Sequence, residues 1–297
     1  YTSKWLYIEK CYFENSVYSG VDVNGFTNVH IYANTFKNCG SAYSGALRTS
    51  VNSNVLIKGN RFEDDRGANG GTAIVVNSYF LGTNHLTIDG NYIEGCYMGI
   101  YFSFPYSTFR DIKIINNTFK DIYSDAISGA YSNSIISGNY FYKIGGFGIT
   151  NMYSYTTISN NVFEEINKSA INLNSSYCNV VNNEILSTNA HGIVVSYGVG
   201  NKIIGNTIYA PSLGANNVHS AIFLFGSSGS KTLNTIISNN TIIGPTSGNR
   251  KKYSIEEYGS YVNYSIIIGN SLAGALTNEF YISGSLTDVG HNTIGSS

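Results

Sequence analysis

The chain is poor in charge, proline and long apolar runs. Charged residues make up 12% of its 297 residues and the net charge is −1. That balance sets up no field for nucleic acid or an anionic membrane, so neither partner is expected. No stretch approaches the roughly 18 uninterrupted apolar residues of a membrane helix, which argues against membrane insertion. The four cysteines, Cys11, Cys39, Cys96 and Cys178, form no Cys-x-x-Cys pair. A zinc or redox motif is therefore not expected, and the thiols read as free and buried. Only 3 prolines are present, against 25 tyrosines and many Asn, Ser and Thr. Such a surface suits an extracellular or cell-surface protein that meets sugars. The chain opens on a strand-like run, Trp5-Leu6-Tyr7-Ile8, and reads as a mature form or a domain cut from a longer protein.

What the sequence has in abundance is a repeat. An aliphatic residue, two variable residues, Asn, one variable residue and Phe, Ile or Leu recur along the chain. Examples are Ile31-Tyr-Ala-Asn34-Thr-Phe36, Ile57-Lys-Gly-Asn60-Arg-Phe62 and Ile88-Asp-Gly-Asn91-Tyr-Ile93. The Asn recurs at Asn117, Asn139, Asn161, Asn183, Asn206, Asn240, Asn270 and Asn292, and Cys11 holds the slot in the first copy. A second motif follows most copies: a small residue, an aliphatic one, an outward one and another apolar one, as in Gly20-Val-Asp-Val23 and Ala170-Ile-Asn-Leu173. Short period-2 strands bounded by Asn, Gly and Ser at spacings of 22 to 34 residues exclude a helical repeat. Each must bury its apolar side against the next copy. The Asn is expected to take the left-handed bend between strands and to hydrogen-bond its own copies up the stack.

The expected fold is all-β: one right-handed, single-stranded parallel β-helix over residues 1–297, of about twelve coils with an Asn ladder. At about 4.8 Å per coil the stack would be about 55 Å long. Its open ends call for a neighbouring domain or a homo-oligomer as cover. This pattern resembles the parallel β-helix repeat of the pectin-lyase-like superfamily from about residue 5 to 295. The resemblance implies a polysaccharide partner and either of two functions. One is a non-catalytic adhesin, similar to the cellulose-binding tāpirins. The other is a polysaccharide lyase or glycoside hydrolase, tailspike-like, acting in a cleft along the β-helix. No cofactor is expected in the first; calcium would enter only for a lyase.

Inserts group at residues 38–111 and 209–253, and all three prolines lie in them, where no central strand is interrupted. The outward residues of the second motif form a column: Asp22, Arg48, Val75, Tyr101, Ser128, Thr150, Asn172, Val194, Phe223, Glu256 and Tyr281. Two polar clusters fall on or beside it. The first joins Asp22, Arg48, Asp64, Asp65 and Arg66. As candidate catalytic residues, Asp64 and Asp65 would act as acid and base beside Arg48 and Arg66. In uronate lyases of the superfamily, acids hold calcium and an arginine takes the proton. The segment Glu63-Asp-Asp-Arg-Gly reads equally as a solvated turn with local ion pairs. The second joins His191, His219, Glu256 and Glu257, with Arg250-Lys-Lys252 nearby. His191-Gly-Ile-Val resembles a histidine segment of polygalacturonases, although that family's Asn-Thr-Asp, Asp-Asp and Arg-Ile-Lys segments do not occur in register. Candidate substrate-binding residues are Asp22, His191, Glu256 and the aromatics Tyr79, Phe80, Tyr101, Phe104, Tyr106 and Phe109 of the first inserts. A charged column, Glu14, Lys37, Glu63, Glu94, Lys120 and Glu164, reads as structural cross-rung pairs. Five Asn-x-Ser/Thr sequons, at Asn116, Asn167, Asn174, Asn239 and Asn263, carry little weight in so Asn-rich a chain.

Overall fold

The computed structural model describes residues 4–295, apart from 43, 51–52, 78–83, 104–108, 130, 152–153, 210, 212–213, 215–216 and 246–247. Its contacts group the chain into two compact units, residues 1–146 and 147–297. Each is a stack of coils in which three short strands alternate with turns, and every pairing between coils is parallel. In the first unit one coil runs Asn28–Tyr32, Thr35–Lys37 and Leu47–Ser50. In the second a coil runs Asn179–Val181, Glu184–Ile185 and Ile193–Ser196. We call the sheets built from these three positions A, B and C. The Asn motif thus spans two strands, the end of A and the start of B, and the second motif is strand C. Among the described residues, sheets A and B have six rungs in each unit; sheet C has five in the first and six in the second. Gly67–Asn69 forms a single 3₁₀ turn.

The period-2 alternation puts one set of side chains into the coil interior. Sheet A contributes Val29 and Ile31, then Val55 and Ile57, all buried. Sheet B contributes stacked rings: Phe13 on Phe36 at 4.9 Å, Phe36 on Phe62 at 4.7 Å, and Phe119 on Phe141 at 4.9 Å. These rings explain the glycines at strands Met98–Ser103 and Ile149–Asn151. A Cβ on Gly99 would meet Phe119 at 2.7 Å and the Ala126 carbonyl at 2.3 Å, and one on Gly148 would meet Phe163 at 2.8 Å.

The ladder forms as the repeat requires, with one correction. The left-handed residue is not the ladder Asn but the one before it: Gly59, Gly90, Asn116 and Gly138 in the first unit, Asn160, Asn182, Gly205, Asn239 and Gly269 in the second. Glycine and asparagine are the residues that adopt this bend most readily. The bend frees the ladder Asn to point inward, where its amide is buried. Asn117 Nδ2 donates to Asn139 Oδ1 at 3.0 Å across 22 residues. Asn206 Nδ2 donates to Asn240 Oδ1 at the same 3.0 Å across 34 residues. Each Oδ1 also accepts a backbone N–H from the preceding rung, as Asn139 does from Asn117. At the first rung the Cys11 N–H donates to Asn34 Oδ1 at 2.9 Å. Buried polar groups are thereby satisfied by copies of themselves.

No disulfide forms among the described residues; Cys39, Cys96 and Cys178 are buried, whereas Cys11 is exposed on its end rung. The charged column forms cross-rung pairs as expected. Lys37 reaches Glu14 at 3.7 Å and Lys120 reaches Glu94 at 2.6 Å. Where Glu63 and Glu94 adjoin, Arg61 pairs with Glu63 and reaches Glu94 at 3.8 Å.

Candidate functional site

The outward column of sheet C is in register within each unit. Asp22 pairs with Arg48, Arg48 with Val75, Val75 with Tyr101 and Tyr101 with Ser128. In the second unit Thr150, Asn172, Val194, Phe223, Glu256 and Tyr281 follow one another rung by rung. The two polar clusters on this column differ sharply in what they can do.

The first cluster divides into two separate pairs. Arg48 Nη2 bonds Asp22 Oδ2 at 2.5 Å on an open surface. Asp64 is buried and fully engaged. Arg66 clasps it from Nε at 2.8 Å and from Nη2 at 2.5 Å, and the Gly71 N–H donates to it at 2.6 Å. Arg66 Nη2 also donates to the carbonyls of Cys39 and Gly40, at 3.2 and 3.1 Å. Asp64 and Arg66 thus tie the turn at residues 64–71 to the neighbouring coil. Asp65 is exposed and lines a shallow groove of about 350 Å³ with Lys37, Glu63, Asp64 and Glu94. Of these carboxylates, Glu63, Asp64 and Glu94 are already paired with Arg61, Arg66 and Lys120. The reading of this segment as a turn held by local ion pairs describes Asp64 and Arg66.

The aromatic candidates also separate. Tyr79, Phe80, Phe104 and Tyr106 lie outside the described residues. Tyr101 is half-buried on the column. Phe109 belongs to the core and not to a binding surface: it opens strand Phe109–Ile115, is fully buried and meets Phe102 edge-on at 5.4 Å.

The second cluster does converge. His191, before strand Ile193–Ser196, and His219, before Ile222–Phe225, lie on adjacent rungs with ring centroids 4.8 Å apart. The Ser220 N–H donates to His191 Nδ1 at 3.0 Å. The Ser220 carbonyl oxygen lies 3.1 Å from the same Nδ1, and His191 Nε2 faces His219 Nδ1 at 3.4 Å. Burial, and secondly the neighbouring His219, push His191 down to about 4, so the imidazole is neutral at neutral pH. Burial lowers His219 as well, and Glu256 partly offsets it. The Ser220 hydroxyl donates to Glu256 Oε2 at 2.5 Å, and Lys252 Nζ lies 3.6 Å from Glu256 Oε1. Glu256 is therefore covered by the insert although its column faces outward. Its neighbour Glu257 points the other way, into the coil interior beside the Thr287 hydroxyl at 3.0 Å. Burial holds its carboxyl above the usual range. It is not a partner of the histidines.

Aromatic rings surround this cluster. Phe223 lies 4.5 Å from His191 with nearly parallel planes. Phe225 and Tyr258 continue the surface, 6.1 Å apart and near-parallel, and Tyr197 meets Phe225 edge-on at 5.3 Å. Beside them lies a groove of about 290 Å³ lined by Phe147, Lys168, Asn172, His191, Val194 and Phe223. Lys168 sits over the Phe147 ring at 4.8 Å. Sequence reasoning found His191, Phe223 and Glu256 but missed Phe225, Tyr258 and Tyr197. The signal was present in Phe223 and Phe225, which alternate outward on one strand. Among the described residues, no three His, Cys, Asp or Glu side chains converge as a metal-binding set. No helix among them is long and apolar enough to cross a membrane.

A stack of three parallel sheets with an internal Asn ladder and an outward cleft column defines a parallel β-helix. The chain belongs to the right-handed beta helix family, whose pattern matches residues 1–111 and 106–293. Similar solved structures include the A-module of a mannuronan C-5 epimerase from Azotobacter vinelandii. It is 15% identical with a TM-score of 0.64, covering 97% of this chain and 91% of that one. An exopolygalacturonase from Thermotoga maritima is 10% identical with a TM-score of 0.61, over 98% and 84%. An alginate lyase from Paenibacillus is 14% identical with a TM-score of 0.58, over 95% and 99%. At these identities the likeness is one of fold. No curated protein sequence matches the chain.

Proposed function

We propose that the chain is an extracellular or cell-surface polysaccharide-binding β-helix whose binding face is the outer side of sheet C in the second unit. One observation carries this: Phe223, Phe225 and Tyr258 form an aromatic surface at the lip of the groove beside His191. Aromatic faces take the apolar side of sugar rings, and Asn172, His191 and Lys168 supply polar contacts for hydroxyls. Fold relatives named for mannuronan, alginate and polygalacturonate chemistry support a polysaccharide as the partner. His191 serves here as a rigid positioning group, since its nitrogens face Ser220 and His219.

A second reading is a lyase or hydrolase. It is favoured by the adjacency of His191, His219 and Glu256, a set able to pass a proton. One experiment separates the two. The protein is incubated with soluble and insoluble polysaccharides, and both capture and new reducing or unsaturated ends are measured. Capture without product, weakened at least about tenfold in Phe223→Ala/Tyr258→Ala, is expected. Product formation abolished by His219→Gln would replace the binding reading with the enzymatic one.

A further inference from the structure

The outer face of sheet A in the first unit carries an aromatic cluster that the binding face above does not use. Trp5 and Tyr7 alternate along strand Trp5–Glu9, so both project outward. Their rings are parallel with centroids 6.0 Å apart. Parallel pairing sets Tyr7 beside His30 and Glu9 beside Tyr32, and Leu56 follows His30 on the next rung. The His30 ring meets Tyr7 edge-on at 4.9 Å. Trp5, Tyr7 and Tyr32 are 57%, 62% and 44% exposed. A cleft of about 190 Å³ is lined by Tyr7, Ile8, Glu9, His30, Tyr32 and Leu56.

The cleft's size and charge narrow its occupant. Its volume is below the roughly 300–1,000 Å³ of sites for drug-sized molecules, so it suits a single ring. A stable protein partner would need about 800 Å² of matched surface, far more than this cleft spans. Glu9, the one charged lining residue, is paired with Lys10 at 3.0 Å. What remains is a pair of aromatic walls with phenolic hydroxyls and an imidazole, a match for an uncharged ring bearing hydroxyls. We propose that this cleft is a second saccharide site, taking one neutral sugar ring between Tyr7 and Tyr32. The ligand class rests on the polysaccharide-binding reading above; the location does not.

Trp5 is the chain's only tryptophan, and it lies against Tyr7, so its emission reports on this cleft. The full chain is titrated with a soluble β-glucan, a galactomannan and a polyuronate while emission is followed. A saturable change with a neutral glycan is expected. Tyr32→Ala should weaken it about fivefold, and Tyr32→Phe should retain it. Glycan capture that depends on Phe223 with no change in emission overturns this site and leaves the binding face standing. A change that survives Tyr32→Ala, one seen only with polyuronate, or one that follows protein concentration without glycan also overturns it. Absence of capture and of emission change across the panel overturns both readings.

Discussion

Single residues here differ most in how far they are withdrawn from water. Asp22 and Asp64 both pair with arginine, but Asp22 does so in the open and Asp64 under a turn. Removing one partner of a buried pair strands the other groups, at about 3–5 kcal/mol, whereas an exposed pair contributes about 0–1 kcal/mol. Asp64→Ala is therefore expected to lower stability by about 3 kcal/mol and Asp22→Ala by less than about 1, measured by urea midpoints. Equal losses would refute the staple role. His191 makes a pH prediction. Its folded value is about 4 and its ordinary value 6.5. Between these the unfolded chain takes up the proton that the folded chain refuses, so stability falls as pH drops from about 6.5 to about 4 and is unaffected above. The full difference is about 3 kcal/mol. Glu257 works in the opposite sense: its raised carboxyl keeps a proton in the fold, so that contribution is lost as pH rises above 4.5. The measurement is thus a comparison. Stability should fall more steeply over that window in the wild type than in His191→Gln, and parallel curves would dismiss the assignment. Sequence pattern separates Glu256 from Glu257, because period-2 alternation sends neighbours to opposite faces. It could not tell that the insert bearing His219 and Ser220 folds over Glu256, since insert paths follow no period.

At the scale of the element, the meeting of strands B and C sets the tightest tolerance. Gly99 has no room for a methyl beside Phe119. Gly99→Ala is expected to destabilise by about 1–3 kcal/mol, and adding Phe119→Leu should recover part of that by making space. Additive losses in a double-mutant cycle would show that the two do not compete for volume. Strand identity and column register were legible, because the repeat fixes which residue follows which up the stack. The bend was not legible, because the left-handed position lies one residue before the constant Asn and varies among Gly, Asn, Ala33, Lys10 and His291. The core position of Phe109 is hidden for a related reason. It follows an insert, and nothing local marks it as the first residue of a long A strand.

The chain carries almost no net charge, and the proposed binding face is built mainly of aromatic rings. Binding of a neutral polymer by aromatic faces should therefore be nearly indifferent to ions. Affinity is expected to change less than about twofold between about 0.05 and about 0.5 M salt, measured by calorimetry or depletion. A tenfold loss would point instead to an anionic polymer held by Lys168 and its neighbours. The fold class was readable from end to end, because each rung repeats the same demand. The function was readable only as a short set of outward positions, since most residues are committed to the stack.

The ladder bond has the same length whether 22 or 34 residues separate its partners. Insertions are therefore invisible to the scaffold: extra chain bulges outward and the next amide still docks in place. Such a molecule can lengthen, shorten or exchange its surface segments generation after generation without having to rediscover how to fold. Its recognition properties are thus free to drift much faster than its architecture, which is why kinship in shape says so little about kinship in appetite.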